Sequence, residues 1–204
     1  MLTINIDLGS AQEVKALVIY DHNLSSAATI TLKGVEPTIF SEAITWASGK
    51  IVHYLSAATT KRYWQLQITD AANADLYIEI GELFLGSYLE LSRYYKEGYS
   101  EETVFLMESN RTPYGVGSDR FFNQQNIFNF NFGNLSEADV INMRTLITSI
   151  AERSSGTFKP FWFNKDSAAT GNTWLVKIDS LPVKHGSWAY FDMHLVLMEV
   201  LTSA

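Results

Sequence analysis

The chain has 204 residues, 47% of them apolar, with 22 acidic side chains against 15 basic ones and a formal net charge of -7. That length accommodates one large or two small domains with real cores, and the acidic balance argues against a surface built to grip phosphates. Cysteine is absent, which removes disulfides, thiolate chemistry and cysteine-ligated zinc together, and neither an apolar run long enough to span a bilayer nor a charged-then-apolar leader is indicated.

The first half reads as short strands at close spacing. Ile4-Asn5-Ile6-Asp7-Leu8-Gly9 leads through Ala11-Gln12-Glu13 into Val14 to Tyr20, the loop Asp21-His22-Asn23-Leu24-Ser25-Ser26 follows, and a strand runs from Thr29 to Leu32. Trp64, Leu66 and Ile68 alternate with Gln65, Gln67 and Thr69, a polar turn covers Asp70 to Asp75, and Ile78, Ile80 and Leu83 come after it. This texture predicts a β-sandwich. No helical period appears before Ser136, and the boundary is expected between Gly86 and Leu91.

In the second half Phe128, Phe130 and Phe132 share one strand face while Asn129 and Asn131 share the other. Ser136, with Asp139 three residues on, forms a capping arrangement. Val140, Met143, Leu146, Ile147 and Ile150 then recur at helical spacing, and Arg153-Ser154-Ser155-Gly156 supplies stop signals, so a helix is predicted over 136–153. Phe161 and Phe163, then Trp174, Val176 and Ile178, then Met193, Leu195 and Leu197 return to period two. The expectation is an antiparallel β domain with one packed α-helix over residues 88–204, behind a jelly-roll-like sandwich over residues 1–87, in a mainly β protein.

Candidate chemistry is sparse. His22, His53, His185 and His194 lack the spacing that puts two metal ligands on one face, and Tyr114-Gly115-Val116-Gly117-Ser118 is neither a Walker loop nor a dinucleotide fingerprint. Glu101 and Glu102 are adjacent on an extended segment and point apart. No enzyme activity, cofactor or metal is expected. Asp70, Asn73 and Asp75 have the oxygens a calcium loop needs, but those residue types also populate turns for backbone reasons. Tyr20, Asp21, His22 and Trp46 combine aromatic faces with groups able to hold sugar hydroxyls, and form the candidate ligand site. Met107 to Asp119 reads as a partner-contacting loop or a plain hairpin connection. The surplus of aromatic residues suggests an interface set of Arg111, Tyr114, Phe121 and Phe122.

The segments "IDLGSAQEVKALVIYDHNLSSAATITLKG" and "RYWQLQITDAANADLYIEIGELFLG" resemble galactose-binding-like, discoidin-type jelly rolls of bacteriophage tail proteins. "FNFGNLSEADV", "GTFKPFWF" and "LVLMEV" resemble the helix-and-sheet domain of phage distal tail and minor tail proteins, related in fold to tail-tube subunits. Together the two cover most of the chain. The resemblance implies a virion structural protein of the tail tip or baseplate, made in the host cytoplasm. It would form a homo-oligomeric ring, expected to be a hexamer, that joins the tail tube to the host-recognition apparatus and lets DNA pass. Its partners would be tail-tube and other tail-tip proteins, without specific nucleic acid binding or a membrane span. The resemblance also makes the "HNLSSAA" turn a shaper of the loop, and leaves strands upstream of "IDLG" to be dispensed with or supplied by a neighbouring subunit. The alternative is a carbohydrate-binding adhesin module of a phage tail or a bacterial surface.

Overall fold

The computed structural model describes residues 1–35, 39–96, 98–111, 117–152, 157–166, 168–187 and 190–200, with side chains at all of these except 107–111, 117–119, 122, 152, 157 and 185–187. The protein is mainly β, with two antiparallel sheets and one helix. It divides into two compact units, the first made of Met1–Tyr88 with Asp166–Asn172, the second of Leu89–Lys165 with Thr173–Ala204.

In the first unit β1 (Leu2–His22), β2 (Thr29–Val35), β3 (Phe40–Ile44), β4 (Lys50–Thr69) and β5 (Ile80–Gly86) form a sheet in the order β3-β2-β4-β1-β5. The two segments read from sequence as Ile4–Gly9 and Val14–Tyr20 are one strand. The register against β4 shifts between Asp7 and Gln12 and again between Val14 and Ala16. Gly9 lies in that first break at φ 76°, a left-handed conformation that glycine adopts without a Cβ penalty, and its N–H donates to Asp7 Oδ1 at 2.8 Å. The bulges divide the sheet. Leu2–Asp7 pairs with Tyr63–Ile68, on whose far side β2 lies, while Ala16–Tyr20 pairs with Lys50–Tyr54 and with β5. Leu17, Ile19 and Ile51 from one half share a core with Ile30, Leu32, Trp64, Leu66 and Ile68 from the other. A single bent sheet thus supplies both walls of one core. Trp64 is 1% exposed, and truncating a side chain of this size in a core costs about 3–5 kcal/mol.

The second unit contains β6 (Ser100–Arg111), β7 (Gly117–Leu135), α1 (Glu137–Ile150), the short β8 (Ala151–Glu152) and β9 (Thr157–Phe158), then β10 (Phe161–Asn164), β11 (Thr173–Ser180), β12 (Val183–Ser187) and β13 (Tyr190–Glu199). The main sheet runs β10-β11-β13-β7-β6, with β12 also paired to β13. Phe128, Phe130 and Phe132 enter the core with Val176, Ile178, Met193, Leu195 and Leu197, and Val140, Met143 and Ile150 of α1 join them. This arrangement follows from amphipathic periods of two and about 3.6 meeting on one apolar face.

Ser136 caps α1 as expected. Its Oγ accepts from the Asp139 N–H at 3.2 Å, and Asp139 Oδ2 accepts from the Ser136 N–H at 3.1 Å. The helix stops earlier than the predicted residue 153. Ala151 is already extended at φ -71° and ψ 121° and pairs with Phe158 in the β8–β9 ladder. The Ile150 carbonyl, exposed by the break, accepts from the Lys159 N–H at 2.8 Å. Pairing with the returning chain therefore ends the helix, before the cationic and glycine signals at 153–156, which lie outside the described residues.

Candidate functional site

At one end of the first unit the turn after β1 is built by its own side chains. His22 Nδ1 accepts from the Leu24 N–H at 3.2 Å and its Nε2 meets the Ala47 carbonyl at 3.0 Å. Those two partners require the neutral ring with its proton on Nε2. Burial pushes the His22 imidazole below its ordinary pKa, in line with that assignment. Trp46 donates its indole N–H to the Leu24 carbonyl at 3.0 Å and packs partly buried against the core. Asp21 sits at φ 53° and donates its N–H to the Gly49 carbonyl at 3.0 Å. Tyr20 lies in β1 between Lys50 and Glu82.

Asn23 is the hub of this end. Its Oδ1 accepts from the Glu79 N–H at 2.8 Å, while its Nδ2 donates to Asp75 Oδ2 and the Tyr77 carbonyl, both at 3.0 Å. Ser25 donates its N–H and its hydroxyl to Asp70 at 2.7 and 2.6 Å, and the hydroxyl in particular holds the Asp70 carboxyl below its ordinary pKa. Asn73, 6% exposed, donates to the Tyr77 carbonyl at 2.9 Å and accepts the Asp75 N–H at 2.9 Å.

The structure links Asp21, His22 and Trp46 through Leu24 and the 46–49 loop. The ring nitrogens of His22 and the indole N–H of Trp46 are, however, engaged inside the chain. Asp70, Asn73 and Asp75 likewise turn oxygens onto local donors. Among the described residues no group of three metal-competent side chains gathers. The arrangement chemically resembles a set of knots fastening three loops.

The second unit carries a different feature. β7 pairs with β13 only over Ile127–Leu135, whereas it pairs with β6 from Gly117 to Asn129. Beyond Ile127, therefore, the β6–β7 hairpin is a two-stranded ribbon, neither of whose strands has a third partner among the described residues. Phe105 is 55% and Phe121 56% exposed, with ring centroids 6.2 Å apart, and Leu106, the next residue along β6, is 39% exposed. Of the interface set predicted from sequence, Phe121 is in this patch. The side chains of Arg111 and Phe122, and all of Tyr114, lie outside the described residues.

Three contacts in this unit had no sequence signal. Glu199, at the end of β13, anchors the root of the ribbon: its Oε2 accepts from Asn126 Nδ2 at 2.8 Å and its carbonyl from Gln125 Nε2 at 2.7 Å. Asp139, 5% exposed, receives the Ser92 hydroxyl and N–H at 2.5 and 3.0 Å in addition to the helix cap. Burial works to raise the Asp139 pKa, but the hydrogen bonds from Ser136 and Ser92 outweigh it and hold the carboxyl at about 2. Lys165 pairs with Glu101 and lies 5.6 Å from the Tyr99 ring centroid and 5.3 Å from that of Trp174. Each joins positions far apart in sequence, where spacing carries no information.

These features define a mainly β chain of two units, with a knotted loop end in one and an apolar ribbon in the other. Comparison with protein-family models, with curated proteins and with solved structures finds no match. Among the described residues no helix is long and apolar enough to cross a membrane.

Proposed function

We propose that this chain is a structural component of a phage tail tip. It assembles into a homo-oligomeric ring, a hexamer by the sequence resemblance, that joins the tail tube to the host-recognition apparatus and leaves an axial passage for DNA. The observation that carries the reading is the β6–β7 ribbon. A two-stranded ribbon without further support is marginal in water, and aromatic side chains left exposed on one are typical of the centre of an interface. A neighbouring subunit that covers Phe105, Leu106 and Phe121 supplies the missing support, and repetition of the same contact closes a ring. The net charge of -7 per chain, multiplied around a channel, discourages DNA from adhering in passage. The protein acts by contact rather than catalysis in this reading, and resides in the virion tail.

The test is the double substitution Phe105→Asp and Phe121→Asp. Both side chains are already exposed, so the melting temperature of the isolated subunit should stay unchanged while ring formation is lost. Unimpaired assembly of that variant would remove the ribbon from the interface.

A further inference from the structure

Residues 46–49, between β3 and β4, are tied to the turn after β1 at both of their ends. The Asp21 N–H donates to the Gly49 carbonyl, His22 Nε2 to the Ala47 carbonyl and the Trp46 indole N–H to the Leu24 carbonyl, each at 3.0 Å. Leu24 stands in the middle of these contacts. It is 5% exposed, with its N–H on His22 Nδ1 at 3.2 Å and its carbonyl on the indole. The imidazole of His22 and the side chain of Trp46 are therefore coupled through a single backbone residue.

That coupling depends on the protonation state of the ring. A proton added at Nδ1 turns the acceptor into a donor that faces the Leu24 N–H, and two donors cannot share a hydrogen bond. Nε2 already carries a proton in the neutral ring, so the bond to Ala47 survives and the ring stays on its loop. Leu24 is what gives way, and its carbonyl is the anchor of the indole. An indole N–H left inside without a partner is costly, whereas water at this end of the unit satisfies it.

We propose that His22 is an acid-operated latch on Trp46, whose release presents an aromatic side chain at this end of the first unit. The latch works within one chain and is independent of ring assembly. Burial places the His22 pKa below its ordinary value, so the latch is closed at neutral pH and opens as pH falls through the lowered value. The charged groups around it act in both directions. Asp21, next to it on β1, favours the imidazolium, and Lys50 at the start of β4 opposes it. The turn before β5 brings Asp75 and Glu79 through Asn23, and Asp70 is fixed on Ser25; all three favour the charged ring. Glu82 lies opposite Tyr20 on β5, and burial pushes its carboxyl up, so it takes up a proton over the same fall in pH and has to be separated from His22 by substitution.

The experiment is an NMR titration of the isotopically labelled full chain from about pH 7.5 to about pH 4.5. At the upper end the His22 ring should be the tautomer with its proton on Nε2. As the second proton is taken up, the Leu24 amide and the Trp46 indole N–H should shift with the same midpoint, and the indole N–H should exchange with water about tenfold faster or more. His22→Asn keeps an oxygen able to accept from the Leu24 N–H in an Asx turn but does not titrate, so both resonances should hold still in it, while Glu82→Gln should leave the response in place. If His22→Asn does not fold, the wild-type and Glu82→Gln curves decide. No protonation of His22 in this range, a titration of His22 that leaves Leu24 and Trp46 unmoved, loss of the response in Glu82→Gln, or its persistence in His22→Asn would overturn the proposal.

Discussion

At the scale of single residues, buried polar groups in this protein are kept where the chain supplies several partners to one atom. Asp139 is the clearest case: both carboxylate oxygens accept from Ser92, and one of them also closes the helix cap with Ser136. An ionised carboxylate so provided for stabilises the fold, because hydrogen bonds to charged groups contribute about 1.5–3 kcal/mol each. Its pKa is about 2 in the folded chain against the ordinary 3.8, so the unfolded chain binds the proton more tightly. The contribution is therefore present in full above the unfolded value and is lost as pH falls through the folded one. Asp139→Asn should lower stability by about 2 kcal/mol at neutral pH, with the difference from the parent shrinking as pH is brought from 5 toward 2. Denaturant unfolding of both proteins across that range is the measurement, and a difference independent of pH would mean that the carboxylate charge plays no part.

At the scale of elements, α1 combines a cap that stabilises it locally with a face that fastens it to the sheet. Ser136→Ala removes the cap and should cost about 1 kcal/mol in a urea melt. Ile147→Asp places an unpaired charge against the apolar cluster formed with Phe128 to Phe132 and should prevent folding. A melting temperature unchanged by Ile147→Asp would show that another face of the helix is buried. Much of this element was legible in the sequence, because capping and periodicity are local: Ser136 with Asp139, and Val140, Met143 and Ile150, stand where their spacing puts them. The helix end was not, since Ala151 and Lys159 terminate it through a ladder with chain still to come. The continuity of β1 was hidden for a similar reason. Gly9 and the run Ala11-Gln12-Glu13 read as a break, whereas a bulge carries the strand through them. Of the candidate ligand residues, sequence identified the loop but not the occupation of its polar atoms, because Leu24 and Ala47 contribute backbone groups that no side-chain pattern announces.

At the scale of the whole molecule, the first unit presents loops tied by their own side chains and the second a two-stranded ribbon without a third strand among the described residues. One fastening between distant residues is built into each unit: Asn23 with Asp75 and Glu79 in the first, and Glu199 with Gln125 and Asn126 in the second. The assignment of Asp166–Asn172 to the first unit had no counterpart in the expected boundary, because excursions of a few residues leave no mark on composition. Among the described residues nothing covers Phe105, Leu106 and Phe121, and the proposed ring would supply that cover. Electron microscopy of the purified full-length chain, at concentrations where mass measurement detects association, tests this most directly. The account predicts closed rings of one size with a central opening, and a particle that stays strictly monomeric at high concentration and is missing from the axis of assembled tails would contradict it.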